Sequence, residues 1–131
     1  MKRNVLIIGA GGVAQVVAHK CAQHNDQLGD LHIASRTLAK AESIIASVHA
    51  KAAMKAPGVF SAHAVNAMDS TAVAGLIRDT GCQIVINVGS SFVNMSVLEA
   101  CIETGAAYMD TAIHEDPEKI CEAPPWYGNY E

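Results

Sequence analysis

Gly9, Gly11 and Ala14 fall at the spacing G-x-G-x-x-A directly behind the apolar run Val5-Leu6-Ile7-Ile8. Each small residue in that spacing has its own mechanical task. Gly9 lets the chain turn sharply out of a strand. Gly11 lacks a Cβ, so backbone can come close to a pyrophosphate, and Ala14 keeps the following helix near its strand. Gly12 and Val13 complete the head of that helix, whose free N–H groups and positive dipole end attract phosphate. The chemistry this spacing points to is dinucleotide binding.

The residues behind the second strand decide which dinucleotide is expected. An NAD site usually ends that strand on Asp or Glu, which accepts hydrogen bonds from the ribose hydroxyls. Here Leu31-His32-Ile33-Ala34 leads instead into Ser35-Arg36-Thr37. A guanidinium fork flanked by hydroxyls attracts a 2′-phosphate that a carboxylate would repel. Such a charge-assisted contact contributes about 1.5–3 kcal/mol, roughly tenfold to a hundredfold in preference. NADP(H) is therefore the expected cofactor. The competing reading is that Arg36 starts the next helix in solvent or stacks on adenine. The missing acid also counts against an S-adenosylmethionine methyltransferase, which shares the glycine turn.

These residues need a scaffold, and the chain supplies one. The run before Gly9 suits a parallel strand buried on both faces. Val13, Val16, Val17 and Cys21 then recur at helical spacing and are expected to face inward. Further strands are predicted at 31–34, 59–65, 84–88 and 107–110. Helices are predicted at 38–54, after a cap at Asp69 or Ser70, and at 93–104, with Val97, Leu98, Cys101 and Ile102 inward. Gly81 and Gly105 are the predicted stops of the last two helices. Alternating strands and helices imply an α/β fold: a Rossmann-type doubly wound parallel sheet of order 3-2-1-4-5, with helices on both faces. Ligands in such sheets lie beyond the carboxyl ends of the strands. That places Gly9 to Val13, Ser35 to Thr37, Ala67-Met68, Asn87 to Ser91 and Asp110-Thr111 around the expected cofactor. Asn87, Gly89 and Ser90 would border the cofactor behind the fourth strand, the alternative being a turn in which Ser90, Ser91 or Asn94 caps the next helix. Asp110 and Thr111 would orient nicotinamide or substrate, the alternative being a solvated strand end.

Composition narrows the class. The 131 residues are 50% hydrophobic but only 5% aromatic, enough for one domain with a core. A net charge of −4 gives no electrostatic basis for nucleic-acid binding. No apolar run approaches the ~20 residues that span a bilayer. Met1-Lys2-Arg3 runs straight into the first strand without a signal peptide, so a cytoplasmic location is expected. Cys21, Cys82, Cys101 and Cys121 form no C-x-x-C pair and read as buried free thiols, with no metal site expected. His114 is the one local candidate for proton transfer. His19, His24, His32, His49 and His63 have no partner in the sequence and receive no role.

The stretches MKRNVLIIGAGGVAQVVAHKCAQ, HIASRTLAKAE, VINVGSSF and YMDTAIHEDPEKICEAPPWYGNYE together resemble the carboxynorspermidine dehydrogenases (carboxynorspermidine synthases) of the saccharopine dehydrogenase-like group. The resemblance covers essentially the whole chain, and its last stretch is the most specific. It implies a bacterial polyamine enzyme. Such enzymes condense 1,3-diaminopropane or putrescine with aspartate semialdehyde and reduce the imine with NADPH, giving carboxynorspermidine or carboxyspermidine. Members of the group are much longer and add a second α/β domain that binds substrate and carries most catalytic groups. Residues 1–111 are thus expected to be the NADP-binding domain, and 112–131 a tail leading toward an absent substrate domain. The chain is expected to be a fragment that is inactive alone, and the full-length protein a homodimer. Glu115, Asp116, Glu118 and Glu122 could steer a dicationic diamine, or could form a solvated loop. Trp126, Tyr127 and Tyr130 would cover the missing domain or a second copy. Two alternatives stay open: a saccharopine dehydrogenase-type amino-acid oxidoreductase, and a non-catalytic dinucleotide-sensing module.

Overall fold

The computed structural model describes residues 1–112 and Glu118. Its elements run β1 (Asn4–Ile8), α1 (Gly12–Gln23), β2 (Leu31–Ser35), α2 (Leu38–Ala50), β3 (Phe60–Ala64), α3 (Ser70–Thr80), β4 (Cys82–Asn87), a 3-10 turn (Ser91–Val93), α4 (Asn94–Thr104) and β5 (Ala107–Asp110). The strands form one five-stranded sheet in the order β3-β2-β1-β4-β5, and every pairing is parallel. The predicted order is the observed one.

Alternate residues of β1 feed two cores. Val5 and Ile7 join Leu31 and Ile33 of β2 beneath α1 and α2, against Ala14, Ala18, Ala41, Ile44 and Val48. Leu6 and Ile8 turn to the other face and meet Val73, Ile77, Val85 and Val97 beneath α3 and α4. Each fully buried Leu, Ile or Val contributes about 1.5–3 kcal/mol. The central strand is therefore the most firmly held element, and the glycine turn grows directly out of it. At the opposite edge, the Asn4 amide accepts from Asp30 N–H (2.9 Å) and donates to the Thr80 carbonyl (3.1 Å). Asn25 exchanges two hydrogen bonds with Ala56 (2.7 and 2.8 Å). Both amides tie down loops that no strand or helix pattern accounts for.

Three helix details depart from the sequence reading. In α1 the buried residues are Ala14, Ala18, Cys21 and Ala22, whereas Val13 and Val16 are 55% and 60% exposed. Close approach of a helix to a parallel sheet selects the smallest side chains, and that sets the rotation of α1. Ile102, expected inward, likewise faces outward, as does Leu38 at the start of α2, where the sequence sets Leu38, Ala41, Ile44, Ile45 and Val48 on one side. Helix α2 ends at Ala50 rather than near Met54. Ala52 takes a left-handed φ of +49°, and Ala53 N–H bonds back to Val48 O (3.0 Å), closing the helix with no glycine to announce it. Elsewhere the expected punctuation holds. The Asp69 carboxylate accepts from Ala72 N–H at 3.1 Å, and α3 and α4 stop at Gly81 and Gly105. Among the described residues, no helix is long and apolar enough to cross a membrane.

Candidate functional site

The strand register brings most of the flagged residues to one edge. Ile8 pairs with Ala34 on one side and Asn87 on the other, and Asn87 pairs with Asp110. Gly9 N–H continues the ladder to Ala34 O, and Val88 N–H continues it to Ile8 O, each at 2.9 Å. The glycine turn, Ser35 to Thr37, Asn87 to Ser90 and Asp110-Thr111 therefore follow adjacent strand ends. The sheet order reverses between β1 and β4, where ligands of such folds bind.

Gly9 has φ +116°, and a Cβ there would lie 2.9 Å from both Gly89 N and Val88 O. Its role is to let the turn pass beneath the β4 loop. Gly11 and Gly12 differ, since a Cβ on either would meet nothing within 4 Å. Gly11 caps α1 without any side-chain bond, and the first turn of α1 holds no acid. The leading N–H groups of this helix thus have neither a side-chain cap nor a first-turn carboxylate to compensate their dipole, which suits a diphosphate.

Beside the turn is a cavity of about 130 Å³ lined by Gly9, Ser35, Arg36, Asn66, Gly89 and Ser90, among others. Ser35 Oγ accepts from Thr37 N–H (3.2 Å), and Thr37 caps α2 with no side-chain bond. Arg36 is exposed and forms no ion pair with any described residue. A free guanidinium beside an uncapped helix start is a suitable donor set for a phosphate monoester. On the β3 side the cavity is lined by Asn66 and Ala67; the sequence points to Ala67-Met68 and not to Asn66. Asn66 Oδ1 accepts from Met68 N–H (3.1 Å), and Ser96 Oγ donates to Ala67 O (2.5 Å), fixing that wall.

On the other side, the Asn87 amide turns inward at 1% exposure and accepts from Gly89 N–H at 3.1 Å. The Asp110 carboxylate accepts from Tyr108 Oη at 2.7 Å. Thr111 is exposed. His114, Glu115, Asp116, Glu122, Trp126, Tyr127 and Tyr130 lie outside the described residues. Cys21, Cys82 and Cys101 are buried and free. Burial raises the pKa of all three thiols, pushing that of Cys101 up to about 12. They stay protonated and are not nucleophiles at neutral pH.

Two histidines given no role prove to be paired. His32 Nδ1 lies 2.9 Å from His63 Nε2. Parallel pairing sets Ala34 against His63 and His32 against Ser61, making the rings diagonal neighbours. Only the register reveals this. Burial holds both below the ordinary histidine range; the His63 charge adds to that on His32, and Asp30 opposes it. The folded pair thus takes up protons less readily than the unfolded chain, so stability is full above about pH 6.5 and is lost as pH falls toward the depressed values. Thermal melts should show Tm falling by on the order of a few degrees between about pH 7.5 and 5.5. His63→Gln should flatten that slope. An equal slope in both proteins would contradict the assignment.

A family model described as the saccharopine dehydrogenase NADP binding domain matches residues 5–131. The chain belongs to that family. Its cofactor is NADP(H), and the open turn and the Arg36 corner fit that group. A carboxynorspermidine synthase of Vibrio alginolyticus is 44% identical over 96% of this chain and 32% of its own length. A carboxyaminopropylagmatine dehydrogenase of Synechocystis sp. is 37% identical over 97% of this chain and 30% of its own. The chain spans about a third of the length of these curated relatives. Among solved structures, YwfH, an NADPH-dependent reductase involved in bacilysin biosynthesis, aligns at TM-score 0.60 and 20% identity. That alignment covers 80% of this chain and 49% of YwfH, a likeness of fold.

Proposed function

We propose that this saccharopine dehydrogenase-type domain is the cofactor-binding part of an NADPH-dependent oxidoreductase of polyamine biosynthesis. The reaction is the reductive condensation of a diamine, 1,3-diaminopropane or putrescine, with aspartate semialdehyde to carboxynorspermidine or carboxyspermidine. Identity of 44% to a carboxynorspermidine synthase supports the reaction. The name of the Synechocystis relative, a carboxyaminopropylagmatine dehydrogenase, favours agmatine as a second choice of amine, the carboxyaminopropyl group coming from the semialdehyde. Residues 1–111 act as the cofactor unit, and 112–131 lead toward a substrate domain that holds most catalytic groups. The full-length enzyme is a cytoplasmic homodimer.

The observation that carries the site is the open, uncapped head of α1 beside an exposed Arg36. Gly11, Gly12, Val13 and Ala14 present backbone N–H groups to the diphosphate, and Gly9 makes the turn possible. Ser35, Arg36 and Thr37 hold the 2′-phosphate. Gly89 and Ser90, set by Asn87, lie along the nicotinamide ribose, and Asp110 with Thr111 borders the ring. When bound, NADPH supplies the hydride; this chain binds and orients it. Arg36→Asp tests the assignment, because it replaces an attraction to the 2′-phosphate with a repulsion. The ratio of NADH to NADPH dissociation constants, measured by calorimetric titration, should fall by tenfold to a hundredfold. An unchanged ratio would remove Arg36 from the site.

A further inference from the structure

Asn87 and Asn94 are each 1% exposed, and amides so deeply buried are costly unless every donor and acceptor is matched. Here they are matched in a way that joins two strand ends. Asn87 Oδ1 accepts from Gly89 N–H (3.1 Å), while Asn87 Nδ2 donates to Asn94 Oδ1 (2.9 Å) and to Tyr108 Oη (3.3 Å). Asn94 Nδ2 donates to the Ala112 carbonyl (2.5 Å). The Tyr108 hydroxyl also lies 3.3 Å from the Asn94 carbonyl. Its single proton goes to the nearer Asp110 carboxylate at 2.7 Å, where the bond is charge-assisted.

Asn94 opens α4 yet makes no helix cap. The capping position is Val93, without a side-chain bond, and the Asn94 amide is spent inward. An apolar pair would fill the same space at less cost in solvation. Buried amides here instead fix one geometry, with the Gly89–Ser90 turn after β4 held at a set distance from Asp110 and Ala112 after β5.

We infer that Asn94 and Tyr108 are positioning residues for the nicotinamide half of the cofactor. They act through Asn87 on the Gly89–Ser90 turn, and directly on the Asp110 carboxylate. This rests on the cofactor crossing the ends of β4 and β5 as proposed. The adenosine half lies around Ser35, Arg36 and Asn66, whose cavity the network reaches only through the Gly89 and Ser90 lining, so it depends on the network far less than the nicotinamide half does.

The test uses the 131-residue chain and two ligands. NADPH spans both halves, whereas adenosine 2′,5′-bisphosphate carries the adenine, ribose and 2′-phosphate without nicotinamide. Tyr108→Phe keeps the ring and its packing but removes the hydroxyl; Asn94→Ala cuts the other branch. Each should weaken NADPH about tenfold and reduce the fluorescence change of the bound nicotinamide. Each should leave bisphosphate affinity within about twofold. Parallel weakening of both ligands would mean a merely structural role, and unchanged NADPH affinity and fluorescence would mean no role; either overturns the inference. Failure of the unmutated chain to bind the bisphosphate would instead refute the underlying cofactor reading, and the inference with it.

Discussion

Gly11→Asp should abolish cofactor binding while leaving the fold at least as stable. Gly11 is the cap of α1, in extended backbone (φ −90°, ψ −166°) that aspartate adopts readily, and a new Cβ there meets nothing. The carboxylate can accept from the N–H of Val13 or Ala14. That stabilises the helix by a few tenths of a kcal/mol over glycine, with about 0.3–1 kcal/mol more from the dipole. The same carboxylate occupies the N–H groups a diphosphate needs. Two like charges about 4 Å apart at a partly screened surface repel by about 4 kcal/mol, so NADPH affinity should fall by about a hundredfold or more. Melting and titration of one sample check both halves. Wild-type affinity in a folded variant would place the diphosphate elsewhere.

Gly9→Ala should do the reverse and damage the fold itself. At φ +116° an alanine costs about 1–3 kcal/mol of backbone strain. Its Cβ would also press on Gly89 N and Val88 O at 2.9 Å. Those are backbone atoms of the turn after β4, anchored by Val88 N–H to Ile8 O (2.9 Å). They cannot yield without opening the central ladder, which adds a further ~1–3 kcal/mol. The melting temperature should drop by on the order of 10–20 °C, whereas Gly11→Ala should shift it by no more than a few degrees. Equal melts for the two variants would contradict the division of labour between these glycines.

The contrast shows what one-dimensional pattern carries. Strand order, the turn between β1 and α1 and the exposed Arg36 were legible because each depends on local spacing: a short apolar run, three small residues, and a strand end without an acid. The inward face of α1 was not, because periodicity favours the larger Val13 and Val16, while close packing on the sheet selects Ala14, Ala18 and Ala22. The end of α2 was misplaced because a left-handed alanine, Ala52, stops it before Pro57-Gly58 is reached. The His32–His63 pair and the Asn87–Asn94–Tyr108–Asp110 network escaped for another reason. Their members are 31 residues apart in the first case and spread over β4, α4 and β5 in the second. Strand register brings the histidines together, and the packing of α4 beside β4 and β5 completes the network.

In the proposed site the head of α1 holds a diphosphate while Arg36 reads the phosphoryl group on the adenosine ribose. Calorimetric titration of the folded, unmutated chain with NADPH and with NADH tests it most directly. NADPH should be taken up saturably at a single site, with NADH at least about tenfold weaker. No saturable heat from either coenzyme, or equal affinity for both, would contradict it.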